Sequence, residues 1–293
     1  MKYNDALVVN ELSKVFDLFA LDNISFRIPK GSIMGFIGQN GAGKSTTIKC
    51  IMNFINFNKG EITIFGKDSR QQSEEIRNLV GYVGEEQYYY EDMSVEWTGK
   101  FIGRYYSNWD HRRFNDLLQR FSVDKNKKLK ELSKGMKVKL SLSLALSHNP
   151  RLLILDEPTS GLDPIVREEI LEILMETIQD GECSIFMSSH ITSDIERIAD
   201  YVTYIDKGKI ILSEEKDNLL NEWKLIKASN EEYDSTLGSQ LIGIRRGKFG
   251  FSGLTRDVDR FSSEFHMIHP KGNFIIERVT LDELLIWFVK DGE

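Results

Sequence analysis

Three short stretches hold residue types at spacings that suit phosphate chemistry. In "GQNGAGKST", Gly38 to Thr46, the order fits G-x-x-x-x-G-K-[ST], and it sits between a predicted strand and a predicted helix. The backbone N–H groups of Gly38, Asn40, Gly41, Ala42 and Gly43 are placed to wrap phosphate oxygens. Lys44 can reach the β/γ oxygens, and Ser45, followed by Thr46, can hold Mg²⁺. The second stretch, "LLILDEP", ends an apolar run on Asp156 and Glu157. Asp156 can stand beside a metal at Ser45, while Glu157 can orient or deprotonate a water attacking a γ-phosphate. The third, "ELSKGMKVKL", sets Ser133 and Gly135 at the mouth of a helix with lysines around them, so its backbone N–H groups face an anion.

The elements that must position these groups read as an α/β chain. Ala6 to Val9 and Ile24 to Ile28 are predicted as short strands, and "GSIMGFIG" runs a buried strand into the glycine-rich loop, with a helix from Gly43. "EITIF" and "LVGYVG" are further strands. From Ser94, an N-cap, the spacing of Trp97, Phe101 and Tyr105 predicts a helix. A second helix follows Asp110, with Phe114, Leu117, Leu118 and Phe121 on one face. "MKVKLSLSLAL" alternates like a strand, but its Leu, Lys, Ala and Ser favour a buried helix, ended by Pro150. "LLILD" and "SIFMSS", separated by a helix over 165–179, have the βαβ rhythm of a parallel sheet. A hairpin turning at Lys207 and Gly208 closes the block. After about Asp217 a small second domain of short strands and a last helix follows, with Thr280 and Glu283 as a capping box. That helix carries Leu284, Leu285, Trp287 and Phe288, which must pack on its own sheet or on a partner.

With 293 residues, 41% hydrophobic and 28% charged, the chain can bury a full core, and a formal net charge of -7 offers nucleic acid no broad cationic face. Cys50 and Cys183 are too few and too far apart for a disulfide framework or a zinc site. No apolar run approaches the roughly 18 residues of a spanning helix, so any membrane served by this chain is expected to be crossed by another.

Taken together, these residues resemble the ATP-binding subunit of ABC transporters over about residues 4–217. "LSKGM" is similar to that family's LSGGQ signature, "SGLD" (Ser160 to Asp163) to its D-loop, and His190 in "SSHI" to its switch histidine. Phe16 stands where the family carries an aromatic residue that stacks on adenine. The resemblance implies a P-loop NTPase fold of ABC type: a RecA-like parallel-sheet core, an antiparallel β subdomain and a helical subdomain over about 88–150. These fill an ATPase domain over 1–217, followed by a small α+β accessory domain over 218–293. It implies ATP and Mg²⁺ as ligands, with Lys44, Glu157 and His190 catalytic and Ser45 and Asp156 on the metal.

It also implies a homodimer or heterodimer with a second ATPase subunit. Ser133, Gly135 and Asp163 of one chain would then meet the ATP of the other. A separate transmembrane permease would hold the pair on the cytoplasmic face of the membrane. Lys134 and Met136 depart from the signature's Gly and Gln. Where the family places a metal-touching Gln, this chain has Glu85, with Gln87 two residues on, and either can serve. The aromatic run Tyr88, Tyr89, Tyr90, Trp97, Phe101, Tyr105, Tyr106 and Trp109 is either core of the helical subdomain or a groove for a permease helix. "YYSNWD", "LSKGM" and the short C-terminal domain are most similar to ATPases of exporters of antimicrobial or amphipathic peptides, of the bacitracin-resistance and phenol-soluble-modulin types. An ABC protein acting on ribosomes or DNA and a small-molecule P-loop kinase are the alternatives. The first would normally carry paired cassettes or a coiled-coil insertion, and the second has no use for "LSKGM" with "SGLD".

Overall fold

The computed structural model describes residues 4–86 and 89–290, and the chain divides into two compact units, residues 1–213 and 214–293. Gln87 and Tyr88 lie outside the described residues. The division falls just before Asp217.

The first unit opens with long strands, β1 (Asp5–Val15) and β2 (Ala20–Pro29), followed by β3 (Ile33–Ile37), α1 (Lys44–Ile51), β4 (Lys59–Ile64) and β5 (Lys67–Asp68). Next come α2 (Ser73–Leu79), β6 (Val80–Val83), α3 (Val95–Gly103), α4 (His111–Arg120), α5 (Lys134–Leu146), β7 (Leu152–Asp156), α6 (Pro164–Thr177), β8 (Ser184–Ser189), α7 (Thr192–Ile198), β9 (Tyr201–Asp206) and β10 (Lys209–Glu215). β1 is longer than its apolar core suggests, because its ladders resume at Leu12, Ser13, Lys14 and Val15 past an irregularity at Glu11, whose φ is 48°.

An antiparallel sheet in the order β2-β1-β4-β5 faces a six-stranded sheet in the order β10-β9-β3-β8-β7-β6. In the latter, β6, β7, β8, β3 and β9 run parallel. Phe26 of β2, Phe36 of β3 and Phe186 of β8 meet with ring centroids 5.2–5.4 Å apart, joining the two sheets. β3, β7 and β8 are buried along their whole length, as parallel strands covered on both faces must be. A Cβ added at Gly35 would stand 2.1 Å from Ile195 of α7, so the missing side chain is what lets that helix lie against β3.

The helices between β6 and β7 start on side-chain caps. Ser94 accepts from the Trp97 N–H, Asp110 from Arg112 and Arg113, and Ser133 from Met136. "MKVKLSLSLAL" is helical in α5, which ends at Leu146 with Ser147 as its cap, ahead of Pro150. α6 runs over Pro164–Thr177, with Pro164 in its first turn behind the Asp163 cap. The β9–β10 hairpin turns at Lys207 (φ 45°) and Gly208 (φ 77°) as expected.

The second unit holds α8 (Lys216–Glu222), β11 (Lys224–Ala228), α9 (Ser235–Gly238), β12 (Ile242–Arg246), β13 (Phe251–Thr255), α10 (Val258–Ile268), β14 (Phe274–Arg278) and α11 (Leu281–Lys290). Its antiparallel sheet, β12-β13-β11-β14, packs on Phe261 and Phe265 of α10. The Thr280–Glu283 capping box forms in both directions. The apolar side chains of α11 find partners in this unit: Arg245 lies over the Trp287 ring at 3.7 Å, and Phe288 meets Trp223 edge-on at 5.1 Å.

Candidate active site

Register in the parallel sheet assembles the site. β3 delivers the chain to the glycine-rich loop, and beside it β8 and β7 pair so that Ser188 lies opposite Phe36 on one side and Asp156 on the other. Strands that end together present their C-terminal residues to one crevice, the usual ligand position in an open α/β sheet.

The loop closes around Lys44. Gly41 (φ 83°) and Gly43 (φ 114°) take left-handed torsions, and a Cβ at Gly43 would stand 2.7 Å from Leu21 and 2.9 Å from Phe19. Ala42 is fixed by its carbonyl, which accepts from Gly208 N–H at 2.9 Å. The Lys44 ammonium is almost fully buried and donates back to Gly38 O at 2.7 Å and Gln39 O at 3.2 Å. Its third contact is the Glu157 carboxylate at 3.1 Å, also buried. The loop thus holds its cation ready behind an open helix N-terminus.

Ser45 donates to Asp156 Oδ1 at 3.1 Å, and Ser188 donates to the same oxygen at 2.7 Å. Ser188 Oγ in turn accepts from Glu157 N–H at 3.0 Å, so one hydroxyl orients both acidic residues. Sequence reasoning missed Ser188, whose signal was its place at the end of a buried strand two residues before His190. Glu157 sits at φ 51°, off the extended torsion of β7. The other oxygen of its carboxylate faces His190 Nδ1 at 2.7 Å. Since a carboxylate accepts, Nδ1 carries the hydrogen and Nε2 remains as the ring's other nitrogen.

Asn40, Gly41, Gly43, Lys44, Ser45, Thr46, Glu85, Glu157 and His190 line one cleft of about 560 Å³, together with Phe19 and Ser160. Tyr82 feels the acidic side of this region: burial first, then the Asp156 and Glu85 carboxylates, push its hydroxyl up to about 12. Phe16 is absent from the lining. It lies on the turn between β1 and β2, 43% exposed, with Lys14 over its ring at 5.1 Å, and Phe19 supplies the aromatic wall instead. The turn, closed by Phe16 N–H on Phe19 O, carries both rings and offers the cleft the later one.

Ser133, Gly135 and Asp163 do not line the cleft. They sit together elsewhere: Ser133 caps α5, Asp163 caps α6, and a Cβ at Gly135 would meet Val166 of α6 at 3.1 Å. Lys134 reaches toward the chain that leads into the Asp163 cap, its ammonium 2.9 Å from where a Cβ of Gly161 would be. The residues singled out in the sequence therefore fall into two separated sets on one chain.

The aromatic run divides. Tyr89 is bonded to Ser141, and Tyr106 stacks on buried His148 with centroids 4.0 Å apart. Tyr90, Trp97, Phe101 and Tyr105 instead form a ladder along α3, with Trp97 and Phe101 stacked at 5.0 Å, and Tyr90 and Tyr105 are well exposed.

Known proteins resemble this chain over most of its length. The family described as "ABC transporter" matches residues 21–160. The lantibiotic transport ATP-binding protein SrtF of Streptococcus pyogenes is 36% identical over 205 residues, 69% of this chain and 86% of that protein. The bacitracin transport ATP-binding protein BcrA of Bacillus licheniformis is 34% identical over 198 residues, 66% of this chain and 63% of that one. A solved "ATP binding subunit of ABC transporter" superposes with a TM-score of 0.68 at 30% identity, covering 74% of this chain and 92% of that chain. With a lysine-bearing glycine loop, two acidic residues at a strand end and a histidine on the second of them, and with relatives that share most of its length, the chain belongs to the ATP-binding subunits of ABC transporters.

Proposed function

We propose that this chain binds and hydrolyses ATP to drive a separate membrane permease, working as one of two ATPase subunits packed head to tail. The observation that carries the reading is the buried Glu157 carboxylate, held between Lys44 and His190 at the edge of the cleft. In that place it is the base for a water attacking the γ-phosphate, and His190 fixes its direction. Lys44 exchanges its two carbonyl contacts for phosphate oxygens. Asn40, Gly41, Gly43 and Thr46 supply the cradle, and Phe19 the stacking surface for the adenine.

The oxygen-only pair Ser45 and Asp156, already 3.1 Å apart, suits Mg²⁺, with Glu85 at the rim of the same cleft. Mg²⁺, when bound, neutralises charge on the phosphates. Ser133, Gly135 and Asp163 lie outside the cleft of their own chain, which favours their acting on the partner's ATP. No helix among the described residues is long and apolar enough to cross a membrane, in keeping with a separate permease on whose cytoplasmic side this subunit sits. The exposed ladder of Tyr90, Trp97 and Tyr105 is the face we assign to that permease. The names of BcrA and SrtF, which speak of bacitracin and lantibiotic transport, favour a peptide or amphipathic cargo, and export is the direction that the sequence resemblance implies.

Mixed pairs test the shared site. Lys44→Ala in one chain and Ser133→Arg in the other damage one composite site and spare the second. Both lesions on one chain damage both sites. Activity retained only by the first arrangement is expected, and equal activity of the two would refute the head-to-tail reading.

A further inference from the structure

Asp194, in the first turn of α7, is a carboxylate only 1% exposed, and the reading above gives it no part. Its Oδ2 accepts from Thr159 Oγ1 at 2.7 Å, and Thr159 is equally buried. Its Oδ1 is paired with the Arg167 guanidinium, which also donates to Ser193 Oγ at 2.8 Å. Both oxygens are thus committed inside the protein and none is spare for a ligand.

The places of these residues in the chain matter more than the bonds themselves. Thr159 follows Glu157 by one intervening proline, and Asp194 follows His190 across the start of α7 at Thr192. Glu157 and His190 touch at 2.7 Å, and Thr159 and Asp194 touch at 2.7 Å, so two rungs join the same two chain segments into a closed ring. On its other side Glu157 is fixed by the Ser188 hydroxyl. Arg167 attaches the ring to the first turn of α6, whose cap is Asp163 and whose Val166 packs on Gly135.

We propose that Asp194 is a positioning residue for hydrolysis: through Thr159 it holds the Glu157–His190 pair in register. Through Arg167 it ties that pair to the helix turn bearing Asp163 and touching the signature loop. A buried carboxylate with a hydroxyl and a guanidinium on it has two discrete states, made or broken, which suits a link that must hold its geometry while the rest of the subunit moves.

The inference rests on Glu157 as the base. It is tested in the full-length chain by steady-state ATP hydrolysis of Thr159→Val, Thr159→Ser and Asp194→Asn, with thermal unfolding in parallel and Glu157→Gln as control. Thr159→Val removes only the hydroxyl rung and leaves the Arg167–Asp194 pair, so it is the variant to trust if Asp194→Asn fails to fold. The expected result is a kcat roughly ten- to a hundredfold lower in Thr159→Val, the effect of a small misplacement of reacting groups. KM for ATP should stay within about twofold, because ATP is not touched by this rung, and Tm should fall by no more than several degrees, the cost of one buried acceptor left without its donor. Thr159→Ser, which keeps the hydroxyl, should recover most of kcat. An unchanged kcat in Thr159→Val overturns the proposal. So does a loss of kcat that only tracks a lower Tm, or one that serine does not rescue. Normal hydrolysis by Glu157→Gln would instead sink the reading of Glu157 itself.

Discussion

Glu157→Gln should do more than stop turnover: it should tighten ATP binding. Lys44 and Glu157 face each other at 3.1 Å and both are buried. At an effective dielectric of about 20 their gross attraction is roughly 5 kcal/mol. Much of that is offset by desolvation, and Lys44 keeps the Gly38 and Gln39 carbonyls at 2.7 and 3.2 Å, so it is not stranded by the change. What the amide fails to replace is the charge of this ion pair, and a net loss of only about 1.4 kcal/mol is already tenfold in an equilibrium constant. Incoming phosphates give Lys44 a new partner, so this loss falls on the empty state alone. Repulsion between the Glu157 carboxylate and a γ-phosphate disappears as well, and it has the same sign. Kd for ATP should therefore fall by about tenfold or more, while kcat nearly vanishes for want of a base. Titration calorimetry gives Kd, phosphate release gives kcat, and thermal unfolding should show a lower Tm for the empty variant that ATP raises further than in the parent. Equal or weaker ATP affinity would refute the view that Glu157 competes with phosphate for Lys44. Near-normal hydrolysis would remove Glu157 as base.

Trp97→Ala, together with Tyr90→Ala, should leave ATP hydrolysis by the isolated chain within about twofold but lose co-purification of the permease from native membranes, since the ladder on α3 lies outside the cleft. Retained co-purification would return those rings to local packing. Truncation after Asp217 should keep ATP binding, because every cleft residue precedes it, and weaken ATP-dependent dimers of the Glu157→Gln chain in sedimentation. His148, buried between Tyr106 and the Val80 carbonyl, is pushed below its ordinary value of 6.5 chiefly by burial. The unfolded chain then binds the proton more readily, so stability is full above about pH 6.5 and drains away as pH falls below it. His148→Gln should be less stable at neutral pH yet show a shallower Tm decline toward pH 5.

The parts of the site that lie on one contiguous stretch were legible in the sequence. Gly38 to Thr46, Asp156 with Glu157, and the caps Ser94, Asp110 and Ser133 all declare themselves through local chemistry, and each appears at its element boundary. α5 shows why alternation alone misleads. Its Leu and Ser alternate, but burial all round erases the amphipathic face, and helix propensity then decides. Long-range partners left no such mark. Ser188 reads as one more small residue in an apolar strand until β7–β8 register sets it against Asp156. The choice between Phe16 and Phe19 turns on the path of one short loop, and the strand order of the second unit on pairings far apart in sequence.

Consecutive residues of a strand point to opposite faces, yet Asp156 and Glu157 serve the same crevice. The φ of 51° at Glu157 is what turns the second carboxylate back, a torsion that glycine or asparagine would hold more comfortably and that costs about 1–3 kcal/mol in other side chains. The contacts to Lys44 and His190 hold the carboxylate against the local backbone preference, so strain is stored in the chain beside the reacting groups and is offset by the same two side chains that give Glu157 its task.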